Sequence, residues 1–324
     1  MPECRLNGAR LHYERHGTGE PLLLLTGFTI SSAVFEPVLD LYGTRFECIT
    51  FDNRGSGRSS APLRPTSMPE LAADAAGLLR GLEIDSAHVC GLSMGGMIAQ
   101  ELAIRFPERV RGLVLGGTTP GGPRAARPTL RELQVLAAGA AGSWREGERS
   151  WLAGWLFSPE FRREHPDRVR ELLRFFGQHR PTAQGAWWHW WATVYHDTVS
   201  RLECIEAPTL VMHGEHDAMA PLSNARLLAE RIPDAELAIV PGAGHAYLLE
   251  RPEAAFELMT GWLERRSPIS AGRPRAGMAA RAEPLTRALG LPIGAARTGA
   301  SFAGLMTDKL RDRKRVGGHV ATDG

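Results

Sequence analysis

The sequence predicts an α/β protein built on a mostly parallel sheet with helices on both faces, and three observations predict it. Short apolar runs alternate with stretches of helical spacing over most of the 324 residues, the pattern that parallel strands joined by crossover helices produce. Glycine-rich turns follow several of those runs, at Gly27, Gly91 and Gly116-Gly117. One of the turns, Cys90-Gly91-Leu92-Ser93-Met94-Gly95-Gly96, places a serine between an apolar run and a helix-spaced one.

Taken in order, strands are expected near Cys4–Leu6, Ala9–Glu14, Leu22–Leu25, Cys48–Phe51, Ala87–Cys90, Gly112–Leu115, Thr209–Met212 and Leu237–Val240, which makes an eight-stranded sheet. Each run is short, apolar and bounded by turn residues. Between Thr119 and about Val199 the strand signals vanish. Amphipathic stretches such as Leu130–Ala138 and Arg168–Phe176 replace them, so residues 119–199 are read as a helical cap inserted before the strand at Thr209. Pro107, Pro159 and Pro233 mark helix or turn boundaries. The core is therefore expected at 1–118 and 200–266.

The serine turn carries the chemistry. A turn this tight forces unusual backbone angles on Ser93 and brings strand and helix together, so Gly91 and Gly95 have a steric reason to be small. A plain strand-to-helix turn is the bland alternative. A serine hydroxyl is a weak nucleophile at neutral pH and requires a histidine base oriented by a carboxylate. Of eleven histidines, His245 lies in the glycine-rich loop after the last expected strand, above the carboxyl ends where such a sheet presents reactive groups. His12, His16 and His88 sit in or beside early strands and read as structural. His165, His179, His189 and His196 fall in the insert. Asp217 follows the strand at Thr209–Met212 and is chosen as the acid; Glu215, two residues earlier, is its competitor, and His216 is read as solvent-facing. The backbone N–H groups of Phe28 and Met94 are expected to hold the oxyanion.

With these motifs in order, the chain resembles the α/β-hydrolase fold superfamily, in particular hydrolases like 3-oxoadipate enol-lactonase and small esterases. The resemblance covers roughly residues 5–266: Leu22–Phe28, the Asp52–Ser59 segment Asp-Asn-Arg-Gly-Ser-Gly-Arg-Ser, the turn at Ser93, and Asp217 followed by His245. It implies a Ser-His-Asp triad that cleaves a carboxylic ester or lactone through an acyl-enzyme. The same triad also serves acyl transfer, thioester hydrolysis, perhydrolysis or carbon–carbon bond hydrolysis, and the scaffold hosts ligand receptors too. Thr26 stands where the family commonly has histidine, a change that spares the main-chain donor.

Other classes are excluded or left bare. The Asp52–Ser59 segment lacks the lysine of a phosphate loop and reads as a structural turn, and no metal-ligand motif occurs, so no cofactor and no metal are expected. No apolar run approaches the roughly 18 residues of a membrane span, and the amino terminus shows no secretion signal, so a cytoplasmic location is expected. Cys4, Cys48, Cys90 and Cys204 are scattered and expected to remain thiols. Seven of eight tryptophans fall in the insert, which suggests an apolar small-molecule pocket, though four of them, Trp187, Trp188, Trp190 and Trp191, cannot share one helix face. After Arg266 the composition turns basic: residues 267–324 hold ten Lys and Arg against four Asp and Glu, a net of +6. They read as a flexible extension that would suit an acidic protein partner, and no recognition motif supports nucleic-acid binding.

Overall fold

Four successive leucines, Leu22 to Leu25, are at most 1 % exposed, which a strand achieves only when both its faces are covered. In the computed structural model, which describes residues 2–126, 152–178 and 181–266, they form β3 (Glu20–Leu25). Leu23 and Leu25 enter one apolar cluster and Leu22 and Leu24 the other, the two-residue alternation of a strand. The remaining strands are β1 (Glu3–Leu6), β2 (Ala9–His16), β4 (Phe46–Phe51), β5 (Ala87–Leu92), β6 (Val110–Gly116), β7 (Thr209–Gly214) and β8 (Ala235–Val240). They form one eight-stranded sheet in the order β1-β2-β4-β3-β5-β6-β7-β8. The pairs β1–β2 and β2–β4 are antiparallel and every other pair is parallel. All eight expected strands are present.

The helices of the core are α1 (Glu36–Tyr42), α2 (Met68–Gly81) and α3 (Met94–Arg105). α2 starts where Ser67 and Glu70 form a reciprocal cap with a proline in the first turn, the arrangement that satisfies otherwise orphaned N–H groups. Between β6 and β7 lie α4 (Pro159–Glu164), α5 (Pro166–Gln178) and α6 (Ala183–Val194). α7 (Leu222–Arg231), α8 (Tyr247–Glu250) and α9 (Pro252–Arg266) complete the described chain. α2, α3 and α7 pack on one sheet face; α1, α8 and α9 cover the other.

The helices between β6 and β7 have a small apolar cluster of their own, with Leu152, Leu156, Phe157, Phe161 and Leu172 buried together. α6 lies against the turn after β4. A Cβ on Gly185 would overlap the backbone of Gly55, and His189 Nε2 is 2.8 Å from the Arg54 carbonyl oxygen. Burial lowers the His189 pKa to about 4, so the ring is neutral and Nε2–H donates. Trp187 stacks on Trp190 at 5.1 Å, and Trp191 packs on Tyr195. Trp144, Trp151, Leu130–Ala138 and the extension at 267–324 lie outside the described residues.

The Asp52–Ser59 segment is a structural turn. Asp52 Oδ1 accepts from the Ser32 N–H at 2.7 Å and Oγ at 2.8 Å, and its Oδ2 accepts from the Arg58 N–H. Arg54 makes two 2.6 Å hydrogen bonds to the buried carboxylate of Asp74 on α2. Cys48 and Cys90 are buried, Cys204 is exposed, and all four cysteines are free.

Candidate active site

Ser93 links β5 to α3 with φ 54° and ψ −117°, a left-handed backbone that a side chain adopts only when its surroundings impose it. The surroundings are the neighbouring turns. The Ser93 N–H donates to the Gly116 carbonyl at 2.8 Å, and Thr118 Oγ1 donates to the Ser93 carbonyl at 2.7 Å. A Cβ on Gly91 would overlap the Gly95 carbonyl, and one on Gly95 would overlap the Leu25 carbonyl. Bare backbone at both positions is what lets strand and helix approach, and the approach lifts the hydroxyl off the sheet.

Asp217 and His245 meet at the carboxyl ends of β7 and β8. His245 Nδ1 lies 2.8 Å from Asp217 Oδ2. Asp217 Oδ1 accepts from the N–H groups of Met219 and Ala220, each at 2.8 Å, so both carboxylate oxygens are spoken for. Burial pushes the Asp217 pKa up, but the His245 charge and hydrogen bond, with smaller help from His213 and the Ala220 N–H, hold it below the ordinary range. Burial alone would lower the His245 pKa; the Asp217 charge and hydrogen bond, aided by the charge of Glu250, raise it instead. The outcome is an imidazole fixed with Nδ1–H on the acid and Nε2 free to take a proton. Glu215 is exposed and accepts from the Gly242 N–H at 2.9 Å, which makes it a brace for the loop.

Ser93 and His245 line one cavity together with Gly27 and a wall of apolar side chains that includes Ile30, Val34, Val38 and Leu248. Leu156 and Phe176, from the segment between β6 and β7, complete it. No Asp, Glu, Lys or Arg lines it among the described residues. The N–H groups of Phe28 and Met94 donate to no turn or loop carbonyl among the described residues. A Cβ on Gly27 would stand 3.4 Å from Ser93 Cβ and 3.9 Å from Ser93 Oγ, so the loop that carries Phe28 runs beside Ser93. Behind it, Thr26 Oγ1 accepts from Asn53 Nδ2 at 3.1 Å, which gives the loop a side-chain tie despite the threonine.

The model of the α/β hydrolase fold family matches residues 20–252, more than two thirds of the chain. The chain belongs to that family. As an α/β hydrolase it is 31 % identical over 264 residues to a protein of Azorhizobium caulinodans named as a carbamate hydrolase, RutD, covering 81 % of this chain and 98 % of the relative. It is also 31 % identical over 271 residues to the poly(3-hydroxyalkanoate) depolymerase of Ectopseudomonas oleovorans, covering 79 % and 89 %. Among solved structures, the enol-lactonase of Burkholderia xenovorans superposes with a TM-score of 0.72 at 24 % identity, over 81 % of this chain and 99 % of that one. That likeness concerns the fold.

Within this α/β hydrolase, other polar groups that drew attention serve structure. His12 pairs with Glu14 at 3.1 Å, His16 with Asp40 at 3.1 Å and His88 with Glu20 at 2.9 Å. His216 is exposed. None of the α6 tryptophans lines the cavity that holds Ser93; besides Leu156 and Phe176, its walls come from Ile30–Val38 and from α8, segments that sequence reasoning did not single out. Glu250 was also missed. It lies five residues after His245 and is buried; a carboxylate directly after the apolar run Ala246–Leu249 was the available signal. Among the described residues no cluster of His, Cys, Asp or Glu is arranged to hold a metal, and no helix is long and apolar enough to cross a membrane.

Proposed function

We propose that this α/β hydrolase cleaves an apolar carboxylic ester or lactone by way of an acyl-enzyme on Ser93. The observation that carries the reading is the shared cavity: a serine on a φ 54° turn faces the same space as a histidine whose other nitrogen is held by a buried carboxylate. Ser93 Oγ attacks the carbonyl carbon while His245 Nε2 takes its proton, and Asp217 keeps the imidazole in the required tautomer and supports the imidazolium. The N–H groups of Phe28 and Met94 donate to the developing oxyanion, which accepts from both. His245 then returns the proton to the leaving alcohol, and a water deprotonated by the same base releases the acid. The apolar walls of the cavity favour an uncharged acyl group, because a substrate carboxylate would lose its hydration there without a cation to replace it. Residues 119–199 act as a cap, a reading supported by Leu156 and Phe176 in the cavity wall.

The test is a panel of p-nitrophenyl esters of graded chain length, with lactones, thioesters and carbamates alongside, combined with fluorophosphonate labelling. Ester or lactone turnover with label on Ser93 is the expected result. Label on another serine, or turnover of the carbamates alone, overturns it.

A further inference from the structure

Gly244 and Ala246 flank His245, and both of their backbone N–H groups are engaged. The Gly244 N–H donates to Glu250 Oε1 at 2.9 Å. The Ala246 N–H donates to the Leu156 carbonyl at 2.8 Å. The Ser158 N–H, two residues beyond Leu156, donates to the same carboxylate, at 3.3 Å from Oε1 and 3.1 Å from Oε2. A Cβ on Gly244 would stand 2.7 Å from Ser158 N, 2.9 Å from Glu250 Oε1 and 2.9 Å from the Phe157 carbonyl carbon, so the histidine loop and the 156–158 segment touch backbone to backbone. One buried carboxylate joins them.

We propose that Glu250 is a positioning residue for His245, clamping the histidine loop to the 156–158 segment and placing a second buried anion near the imidazolium that forms during catalysis. The inference rests on the reading of His245 as the base. Its physical content is twofold. A carboxylate that accepts N–H bonds from two segments fixes their separation, and hence the direction in which the intervening imidazole points. A negative charge in a water-poor setting acts over longer range than it would at the surface, in keeping with the upward push that Glu250 exerts on the His245 pKa.

The charged and titratable groups around His245 are Asp217 and His213 from β7 and its following loop, with Tyr247 and Glu250 from α8. Burial pushes the Glu250 pKa above the ordinary carboxylate range, while the hydrogen bonds from Ser158 and Gly244 and the charge of Arg251, which also lies 3.6 Å from Glu160 of α4, favour the anion. Asp217 contacts the imidazole directly and remains the dominant partner. Glu250 adds to it.

The experiment compares wild type with Glu250→Gln in the full chain by three readings: kcat and KM on a p-nitrophenyl ester, the pH dependence of fluorophosphonate labelling of Ser93, and the His245 titration followed by NMR. The expected result is a kcat lower by about tenfold with KM within about twofold, and a His245 midpoint and labelling limb both moved to lower pH, because the imidazolium has lost an anion. A lower melting temperature with kcat per labelled site and the His245 midpoint unchanged assigns Glu250 a structural role alone and overturns the proposal. If Glu250→Gln fails to fold, Glu250→Asp decides: reduced kcat with a wild-type midpoint supports it, and wild-type kcat overturns it. The NMR midpoint needs no substrate, so failure of the ester reading is seen in the wild-type assay while Glu250 is judged by the titration.

Discussion

The cavity has two sides that are built differently. On the sheet side, Gly27, Ser93 and Gly116 hold their places through backbone: carbonyls and amides of neighbouring turns bond to one another, and a carbon added to Gly116 would collide with Tyr247 and Leu92. On the side between β6 and β7, Leu156 and Phe176 belong to a small cluster of interlocking side chains. The difference teaches that Ser93 is placed by main-chain geometry, whereas the shape of the space before it is set by packing. The first kind of order fails when one methyl is added; the second tolerates exchange of one apolar group for another.

The largest break of that contrast is Ser93→Ala. It should lower kcat by about 10⁴-fold or more while the circular dichroism spectrum stays unchanged. Next comes the pair of acids: Asp217→Asn should cost about 10³- to 10⁴-fold, as loss of the orienting carboxylate does elsewhere, and Glu215→Gln on the exposed loop only about threefold or less. Equal losses in a turnover assay would move the acid off Asp217.

The two sides can be set against each other directly. Gly95→Ala drives a Cβ toward the Leu25 carbonyl and should cost several kcal/mol, about 3 or more, together with most of the activity of whatever folds. Leu172→Ala, in the cluster between β6 and β7, should cost about 2–5 kcal/mol yet leave kcat within a few-fold of about unity for the folded fraction. Urea melts and active-site titration read both.

A smaller effect comes from pH. Because the His245 pKa is raised and only the neutral imidazole can accept the Ser93 proton, kcat/KM should fall as pH drops through a midpoint above the ordinary histidine value. Asp217, held low, stays ionised across that range. A limb below the ordinary histidine value would mean that Asp217 and Glu250 do not support the charged ring. Smallest of all should be removal of residues after 268. α9 ends at Arg266 and every proposed catalytic group precedes Glu250, so rates on small esters should stay within about twofold.

The fold was legible because its signals are local. Eight apolar runs bounded by turn residues became eight strands, and Gly91 and Gly95 marked the Ser93 turn through a steric demand that three neighbouring residues reveal. Asp217 was preferred to Glu215 because the longer side chain would need a different loop path, and of the two it is Asp217 that meets His245. The cavity walls were not legible. Which tryptophans of α6 face inward depends on Gly55 and Arg54, more than a hundred residues away, which meet Gly185 and His189 of that helix. Glu250 stayed hidden for the same reason, because its partner Ser158 is 92 residues distant.

The left-handed backbone at Ser93 also restricts what evolution or an engineer can install there. A β-branched side chain is strongly disfavoured at φ 54°, so threonine, the other hydroxyl nucleophile, cannot take over the position without undoing the turn. Cysteine has no such branch and would fit, as would an aspartate. The position can therefore hold a thiol, a hydroxyl or a carboxylate by one substitution, while the secondary alcohol of threonine is closed to it by the shape of the chain rather than by reactivity.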